Sequence, residues 1–250
     1  MAIVSNIISS LPSPVISPAT PIGKALPILN GLRLFHSSKY RSFSKSSLFN
    51  FDGANIISSW KGLEGTPESP QSTVSLRPTY VENGINNLPS LQSDNDSLLL
   101  DSSLYDLSND NITIIAVAEA LEDNVDCRII NLSEGGSART TIRFDPGVAD
   151  GMQFCSSTSF SNRINVTGIN KLQGNIVSFI RNGTSQNAYI NGSLVGNNNT
   201  GANDPDVDSG FICNGEAFYS ALLVYDRALS TVERQSVESF LSTEFFINLS

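Results

Sequence analysis

An all-β fold, with two antiparallel sheets packed face to face, is predicted by three features of the 250-residue sequence. The first is the apolar run at 217–225, whose β-branched and aromatic residues indicate a strand buried on both faces. The second is a pair of Asn-Gly dipeptides, at Asn182 and Asn191, which lie between short strand-like segments and indicate tight hairpins. The third is the composition, because a chain with only 16% charged residues and abundant Ser, Asn, Gly and Thr suits many short strands joined by polar turns.

The remaining strands are predicted from apolar or alternating segments along the chain. The strongest is 111–119, which is rich in Ile and Val and has no helical spacing. The other predicted strands are 32–35, 56–60, 127–132, 140–144, 151–155, 163–166, 175–181, 186–190 and 193–195.

One short helix is predicted to follow the last strand. Ser230 and Glu233 have the Ser-x-x-Glu spacing of a capping box, in which each side chain accepts a hydrogen bond from a free backbone N–H at a helix start. Apolar residues then recur three to four apart, which predicts one buried stripe on an amphipathic helix. These residues are Val237, Phe240, Leu241 and Phe245.

The chain is expected to comprise an extended arm, residues 1–29, and one β-sandwich domain, residues 30–250. Repeated prolines in the arm remove backbone donors and favour an extended conformation. The arm is also rich in Ile, Leu and Val, so it is too apolar for an ordinary solvated tail. We therefore expect it to lie along another protein or another copy of this chain; the alternative is that it packs on its own domain.

The net charge of −9 and the pI near 4.5 predict that the chain binds neither nucleic acid nor an anionic membrane. The sequence contains no apolar stretch long enough to cross a membrane and no convincing signal peptide. Its three cysteines, Cys127, Cys155 and Cys213, are widely spaced and are expected to be buried free thiols, not a metal cluster.

Several motifs follow one another along residues 30–246, among them the strand ending at Trp60, the hairpin at 188–195, and the corner at 225–230 that leads into the final helix. In this order they resemble the motifs of laminin-G-like and concanavalin A-like lectin domains of phage and bacterial surface proteins. The resemblance implies a jelly-roll sandwich. Relatives carry a Glu near position 221, where this chain has Ala221, so no interaction through that carboxylate is implied here. The intervening motifs are Pro78-Thr79-Tyr80, Asn83-Gly84-Ile85-Asn86, Pro89-Ser90-Leu91, Asp94-Asn95-Asp96 and Leu98-Leu99-Leu100.

No catalytic residues are predicted, and the chain is expected not to be an enzyme. Its one histidine, His36, falls in a basic, polar segment and is expected to be a solvated loop residue. Two carboxylates on alternate residues of one strand would suit glycoside hydrolysis. The acidic cluster that comes nearest to this pattern lacks the spacing, and it comprises Glu119, Glu122, Asp123 and Asp126.

A calcium site is the one metal site that the sequence suggests. Asp204, Asp206 and Asp208 alternate in a polar loop and would supply the hard oxygen ligands that Ca²⁺ prefers. The alternative is a solvated acidic turn, because Ser209 stands where an EF-hand type of loop has glycine. The same loop is the expected functional edge of the sandwich, since binding residues concentrate in end loops.

The combination of a lectin-like domain, an apolar arm and no export signal predicts a virion structural protein. It would be a capsid decoration protein or a tail-fibre or spike component, made in the host cytoplasm. Residues 1–29 would fasten it, as a homo-oligomer, to a major capsid or tail protein, while the sandwich binds host surface glycans. The alternatives are a free carbohydrate-binding lectin, extracellular or on a cell surface, and a glycan-active hydrolase.

Overall fold

The computed structural model describes residues 25–40, 44–105, 111–123, 126–134, 137–145, 147, 151–157, 160–199 and 207–250. Within these residues the chain forms mainly β-strands, with two α-helices. The strands are β1 (Leu32–Ser37), β2 (Phe49–Phe51), β3 (Ile57–Trp60), β4 (Ser69–Pro70), β5 (Thr79–Val81), β6 (Ser90–Ser93), β7 (Leu98–Leu99), β8 (Asn111–Ala120), β9 (Cys127–Glu134), β10 (Ser137–Asp145), β11 (Gly151–Ser156), β12 (Ile164–Val166), β13 (Asn175–Asn182), β14 (Ser185–Ile190), β15 (Ser193–Asn198), β16 (Ser209–Asn214) and β17 (Ala217–Tyr225). The α-helices are α1 (Lys45–Leu48) and α2 (Thr231–Phe245), and short 3-10 helices lie at Val74–Leu76, Ile85–Asn87, Ser102–Leu104 and Phe160–Asn162.

Two sheets form the body of the molecule. The larger has eight strands, in the order β15-β14-β13-β8-β17-β6-β5 with β1 also paired to β17, and the smaller has the order β12-β11-β10-β9-β16-β7. The strand pairs are antiparallel. The sheets face each other across an apolar core, in which the ring of Phe154 on β11 stacks on that of Phe179 on β13, with centroids 6.2 Å apart. The predicted all-β sandwich with a short C-terminal helix is therefore confirmed.

Strand β17 lies inside the larger sheet and is almost wholly buried, as the apolar run predicted. One of its edges pairs with β8, from Ala217↔Ala120 to Tyr225↔Thr113. Its other edge is shared, because residues 217–219 pair with β6 and residues 221–225 pair with β1. Two separate parts of the chain are thus joined along one strand.

The three cysteines are all buried in the body and form no disulfide bond, as predicted for core thiols. Burial raises the pKa of Cys127 to about 12 and that of Cys155 to about 11, so both are protonated and unreactive near neutral pH.

The structure corrects the expectation for His36, which is a fully buried residue of β1 and not a solvated loop residue. Its ring stacks on Trp60 at a centroid distance of 5.1 Å, beneath a small third sheet formed by β2, β3 and β4. The Nδ1–H donates to the carbonyl of Lys61 at 3.0 Å, so Nε2 is the acceptor for the hydroxyl of Ser69 at 2.8 Å. Burial lowers the pKa of His36 from 6.5 to about 4, so the ring is neutral.

Helix α2 packs on the outer face of the larger sheet. The predicted capping box at Ser230 and Glu233 is present, and the four predicted apolar residues are buried. The sequence pattern did not predict that two charged side chains, Arg234 and Glu238, are buried on the same helix. Among the described residues, no helix is long and apolar enough to cross a membrane.

Residues 25–29, the end of the predicted arm, run beside the sandwich. Leu26 is buried, and its backbone N–H donates to the hydroxyl of Tyr40 at 3.3 Å. The carbonyl of Ile28 accepts a hydrogen bond from the hydroxyl of Tyr225 at 3.1 Å. Residues 1–24 lie outside the described residues, so the division into an arm and a sandwich domain stays a prediction.

Candidate functional site

A groove rich in carboxamide side chains lies where the end of α2, the C-terminal residues, the β14–β15 turn and the loop before β13 meet. It consists of two adjoining cavities, of about 190 and 280 Å³, which share Gln173, Asn191 and Asn248 in their walls. We call it the amide groove and define it by Asn86, Asn170, Gln173, Asn191 and Asn248, together with Phe246 at its rim.

Asn191 is held at the centre of the groove by the hairpin turn between β14 and β15. Asn191 and Gly192 both have positive φ, 49° and 89°, as the Asn-Gly pair predicted for a type I′ turn. The side chain of Asn191 reaches back to β13, where its Oδ1 accepts from the N–H of Ile176 at 2.8 Å and its Nδ2 donates to Oδ1 of Asn175 at 3.0 Å. Both ends of this amide are therefore fixed.

Asn175 holds the loop that forms the facing wall. It is 1% exposed, and its Nδ2 donates to the carbonyls of Asn170 at 2.9 Å and Gln173 at 2.7 Å. The Nδ2 of Asn170 in turn donates to Oε1 of Gln173 at 3.2 Å. Gly174 completes the wall, because a Cβ at this position would lie 2.3 Å from Cγ2 of Ile85.

The end of α2 supplies an aromatic ring. Phe246 terminates the helix in the left-handed region, with φ 55° and ψ 42°, and is 67% exposed. The ammonium of Lys39 lies 5.1 Å from the ring centroid, on one face. Asn86 braces this end of the helix, because its Nδ2 donates to the carbonyls of Phe245 at 2.8 Å and Phe246 at 3.2 Å.

A buried ion pair fixes α2 to the sheet beside the groove. Glu238 pairs with Arg234 and accepts from the hydroxyl of Ser178 on β13 at 2.7 Å. Arg234 lies 3.9 Å from the ring centroid of Tyr189 on β14 and donates to the carbonyl of Gly192 at 3.3 Å. The helix and the turn that carries Asn191 are thus linked through one guanidinium group.

Several polar atoms of the amide groove remain free to bind a ligand. Nε2 of Gln173, Oδ1 of Asn86 and both amide atoms of Asn248 form no hydrogen bond within the described part of the chain. Because Nδ2 of Asn86 faces two carbonyl groups, its Oδ1 is the atom left open. The groove therefore offers both donors and acceptors, and hydrogen bonds hold the side chains of Asn86 and Gln173 in position.

A second cavity, of about 280 Å³, is lined by carboxylates near the ends of β6, β8 and β17. We call it the acidic pocket and define it by Asp94, Glu122 and Glu216. None of these carboxylates has a hydrogen-bond partner among the described residues. Glu119, two residues before Leu121 in the pocket wall, is half-buried, and burial raises its pKa.

The structure does not assemble the predicted acidic cluster into one site. Glu122 alone of the four lines the acidic pocket, whereas Asp126 pairs with Arg128 at 3.0 Å and Arg143 at 3.1 Å. Asp123 contributes its backbone carbonyl, which accepts from the buried ammonium of Lys171.

The calcium prediction stays a prediction. Asp204 and Asp206 lie outside the described residues. Asp208 is exposed just before β16, where its N–H donates to the carbonyl of Ser133 at 2.9 Å and its Oδ1 accepts from the hydroxyl of Ser209 at 3.0 Å.

The sequence pointed to the loop around Asp208 and not to the amide groove. The one sequence signal for the groove is the Asn-Gly pair at Asn191, which predicted a turn but no site. Its other members are separated by up to 162 positions, from Asn86 to Asn248, so they meet only in the folded chain.

No protein-family model matches this chain, and no curated protein sequence matches it. Among solved structures, the sialidase of Trypanosoma rangeli in complex with the inhibitor DANA has a TM-score of 0.61 and 17% sequence identity, covering 93% of this chain and 36% of the sialidase. The same sialidase in complex with sialic acid has a TM-score of 0.60 at 15% identity, covering 91% of this chain and 35% of the sialidase. The binding domain of Paraclostridial Mosquitocidal Protein 1 has a TM-score of 0.48 at 14% identity, covering 76% of this chain and 52% of that domain, a similarity too low to support an argument.

The similarities to the sialidase support the predicted β-sandwich fold, with no link to a phage protein or to a named family. They contradict the prediction that the chain is not an enzyme, because the sandwich is similar to structures of a sialidase, an enzyme by its name. This chain spans about a third of the sialidase's length, and at 17% identity the similarity shows the fold alone. A glycan hydrolase is therefore a class that has to be tested.

Proposed function

We propose that this chain binds glycans and that the amide groove is the binding site. The observation that carries the proposal is that one groove is lined by side chains with free carboxamide atoms and by an exposed phenylalanine. Each sugar hydroxyl is both a donor and an acceptor, and each carboxamide offers both partners. The face of an aromatic ring carries partial negative charge, which suits the C–H groups on one side of a sugar ring.

The framework of the groove is suited to binding because its side chains are ordered before a ligand arrives. Asn191 and Asn175 hold each other and the adjoining backbone, so their conformational entropy is not lost on binding.

The test is a glycan array followed by isothermal titration calorimetry with the tightest oligosaccharide. We expect Asn248→Ala and Phe246→Ala each to weaken binding about tenfold, through lost hydrogen bonds and lost stacking respectively. Val232→Ala is the matched control, because Val232 is a 72% exposed apolar residue of the same helix that does not line the groove. Wild-type protein that binds no glycan, or groove variants that bind like wild type, would contradict the proposal.

A glycan hydrolase is the second candidate function, and the acidic pocket is the observation that favours it. Glycosidases use two carboxyl groups on either side of the scissile bond. Glu122 and Glu216 line one cavity, and neither side-chain carboxylate forms a hydrogen bond with the described residues. Hydrolysis of a panel of fluorogenic glycosides and sialosides that is lost in Glu122→Gln or Glu216→Gln would support this function; no turnover by wild type would exclude those substrates.

The wider role that we propose is that of a virion structural protein, as a capsid decoration protein or a tail-fibre or spike component. Residues 1–29 would attach it to a capsid or tail protein, and the support is their apolar, proline-rich sequence ahead of a glycan-binding sandwich. Deletion of residues 1–24 keeps Leu26, which is buried against the body, and is expected to leave the sandwich folded but absent from assembled particles. Mass spectrometry of purified particles checks this. Glycan binding by a chain that never enters particles would favour a free surface lectin.

A further inference from the structure

We propose that the amide groove selects neutral glycans, and that it needs neither a bound cation nor an acidic sugar for binding. This inference rests on the proposed glycan-binding function and narrows it to a ligand class. It is argued from the charge of the groove, from its free donors and acceptors, and from the conformation of Phe246.

The groove carries no charged side chain among its described lining residues, which are Asn, Gln, Ser, Gly, Ile, Val and Phe. The nearby ammonium of Lys39 lies over one face of Phe246 and donates to the carbonyl of Glu244 at 2.9 Å. Carboxylate, sulfate and phosphate groups are bound most strongly by charged donors, above all by the two parallel N–H groups of arginine. With a net charge of −9, the protein as a whole also repels anions.

The free atoms of the groove match a neutral ligand. An ionised carboxylate or sulfate group only accepts hydrogen bonds, so it cannot bind the open Oδ1 of Asn86. A hydroxyl or an acetamido group donates as well as accepts, so a neutral sugar offers partners to the open donors and to the open acceptors of the groove.

Phe246 combines two features that do not favour a stable fold. A bulky residue in the left-handed region is strained, and glycine is the usual residue at this position of a helix end. The ring is also mostly exposed, although Lys39 covers one face. Strain of this kind concentrates at functional sites. An exposed planar ring at a groove lined by uncharged amides suits the apolar side of a neutral sugar ring.

The experiment uses the full chain and an array of oligosaccharides, each present in a neutral form and in a sialylated or sulfated form. Calorimetry is then run on the tightest-binding pair at 20 and 500 mM NaCl, with and without EDTA. We expect the neutral form to bind about tenfold more tightly than its acidic counterpart, with no more than about a twofold change on adding salt or EDTA. Phe246→Gly and Phe246→Ala should both abolish this preference by weakening the neutral form, while Val232→Ala retains it.

The outcomes separate this inference from the function on which it rests. Tighter binding of the acidic forms, or binding that falls steeply with salt or with EDTA, would overturn the neutral-glycan inference and leave glycan binding intact. Absence of binding to both forms would overturn glycan binding itself. If Phe246→Gly and Asn248→Ala both kept the preference for neutral glycans, the ligand would bind outside the amide groove. That result would overturn the inference.

Discussion

The amide groove, formed by cavities of about 190 and 280 Å³, and the acidic pocket, of about 280 Å³, hold their polar groups in opposite ways. In the amide groove, Asn175 and Asn191 are fixed by hydrogen bonds to each other and to the backbone. In the acidic pocket, the side-chain carboxylates of Asp94, Glu122 and Glu216 form no hydrogen bond with the described residues. One cavity therefore has a preset geometry, and the other has concentrated charge.

This difference indicates which ligands each cavity suits. Uncharged groups at fixed positions recognise a neutral partner by geometry, with little dependence on salt. Unpaired carboxylates act through charge, so they attract cations or serve proton transfer, and their effect falls with ionic strength. Variants that disturb the fixed side chains of the amide groove should therefore change glycan affinity and stability differently from variants that remove carboxylates from the acidic pocket.

The largest effect is expected from Glu238→Gln, which removes the buried ion pair that holds α2 beside the amide groove. The substitution leaves the guanidinium of Arg234 buried without its carboxylate, which should lower the free energy of unfolding by about 3 kcal/mol. Glycan affinity should fall too, because Arg234 also binds the turn at Gly192. Urea unfolding and calorimetry measure both quantities. Glu244→Gln, on the same helix but partly exposed, is the control; equal effects of the two variants would contradict the role of the buried pair.

The next effect separates pH dependence of the fold from that of the groove. Burial lowers the pKa of His36 from 6.5 to about 4, so between these values the unfolded chain binds a proton at His36 that the folded chain does not. The free energy of unfolding is therefore not reduced by His36 above pH 6.5. As the pH falls from 6.5 to about 4, protonation of His36 in the unfolded chain lowers the free energy of unfolding by roughly 3 kcal/mol.

Urea unfolding at pH 7 and pH 4 should show that loss in wild type but not in His36→Gln, which cannot titrate there. Glycan affinity between pH 5 and 8, by contrast, should stay constant, because no titratable side chain lines the amide groove. A glycan affinity that follows the titration of a carboxylate would move the binding site towards the acidic pocket.

A smaller effect tests strain at Phe246. Phe246→Gly and Phe246→Ala both remove the ring, but only glycine adopts positive φ without strain. The glycine variant should therefore be more stable than the alanine variant by about 1 kcal/mol, while the two bind glycan equally weakly. Thermal unfolding gives the difference, and equal stability would show that the helix end is not strained.

The smallest effect is expected from Glu122→Gln combined with Glu216→Gln. Removing two like charges from the acidic pocket should raise stability slightly at low salt and not at high salt. Glycan affinity should be unchanged. If the double variant lost glycan binding as Asn248→Ala does, the acidic pocket and not the amide groove would be the binding site.

Much of the fold follows from local sequence. The apolar run of β17, the Asn-Gly turn at Asn191 and the capping box at Ser230 each depend on residues close together in the chain, and each is present as predicted. His36 was misplaced because its surroundings in sequence are polar and basic, whereas its environment is set by Trp60 and Ser69. Burial of that kind depends on contacts distant in sequence, which local composition does not report.

By itself, then, the sequence determined that the chain forms a β-sandwich closed by a capped helix, since periodicity, turn residues and caps act over a few residues. Only the tertiary structure decided which carboxamide side chains lie together in the amide groove. Asn86, Gln173 and Asn248 are ordinary polar residues in sequence. They become a site because the residues after α2 return to the turn that carries Asn191, where the N–H of Ser250 donates to the carbonyl of Asn191 at 2.8 Å. The packing of the helix on the sheet, through Arg234 and Glu238, brings them together.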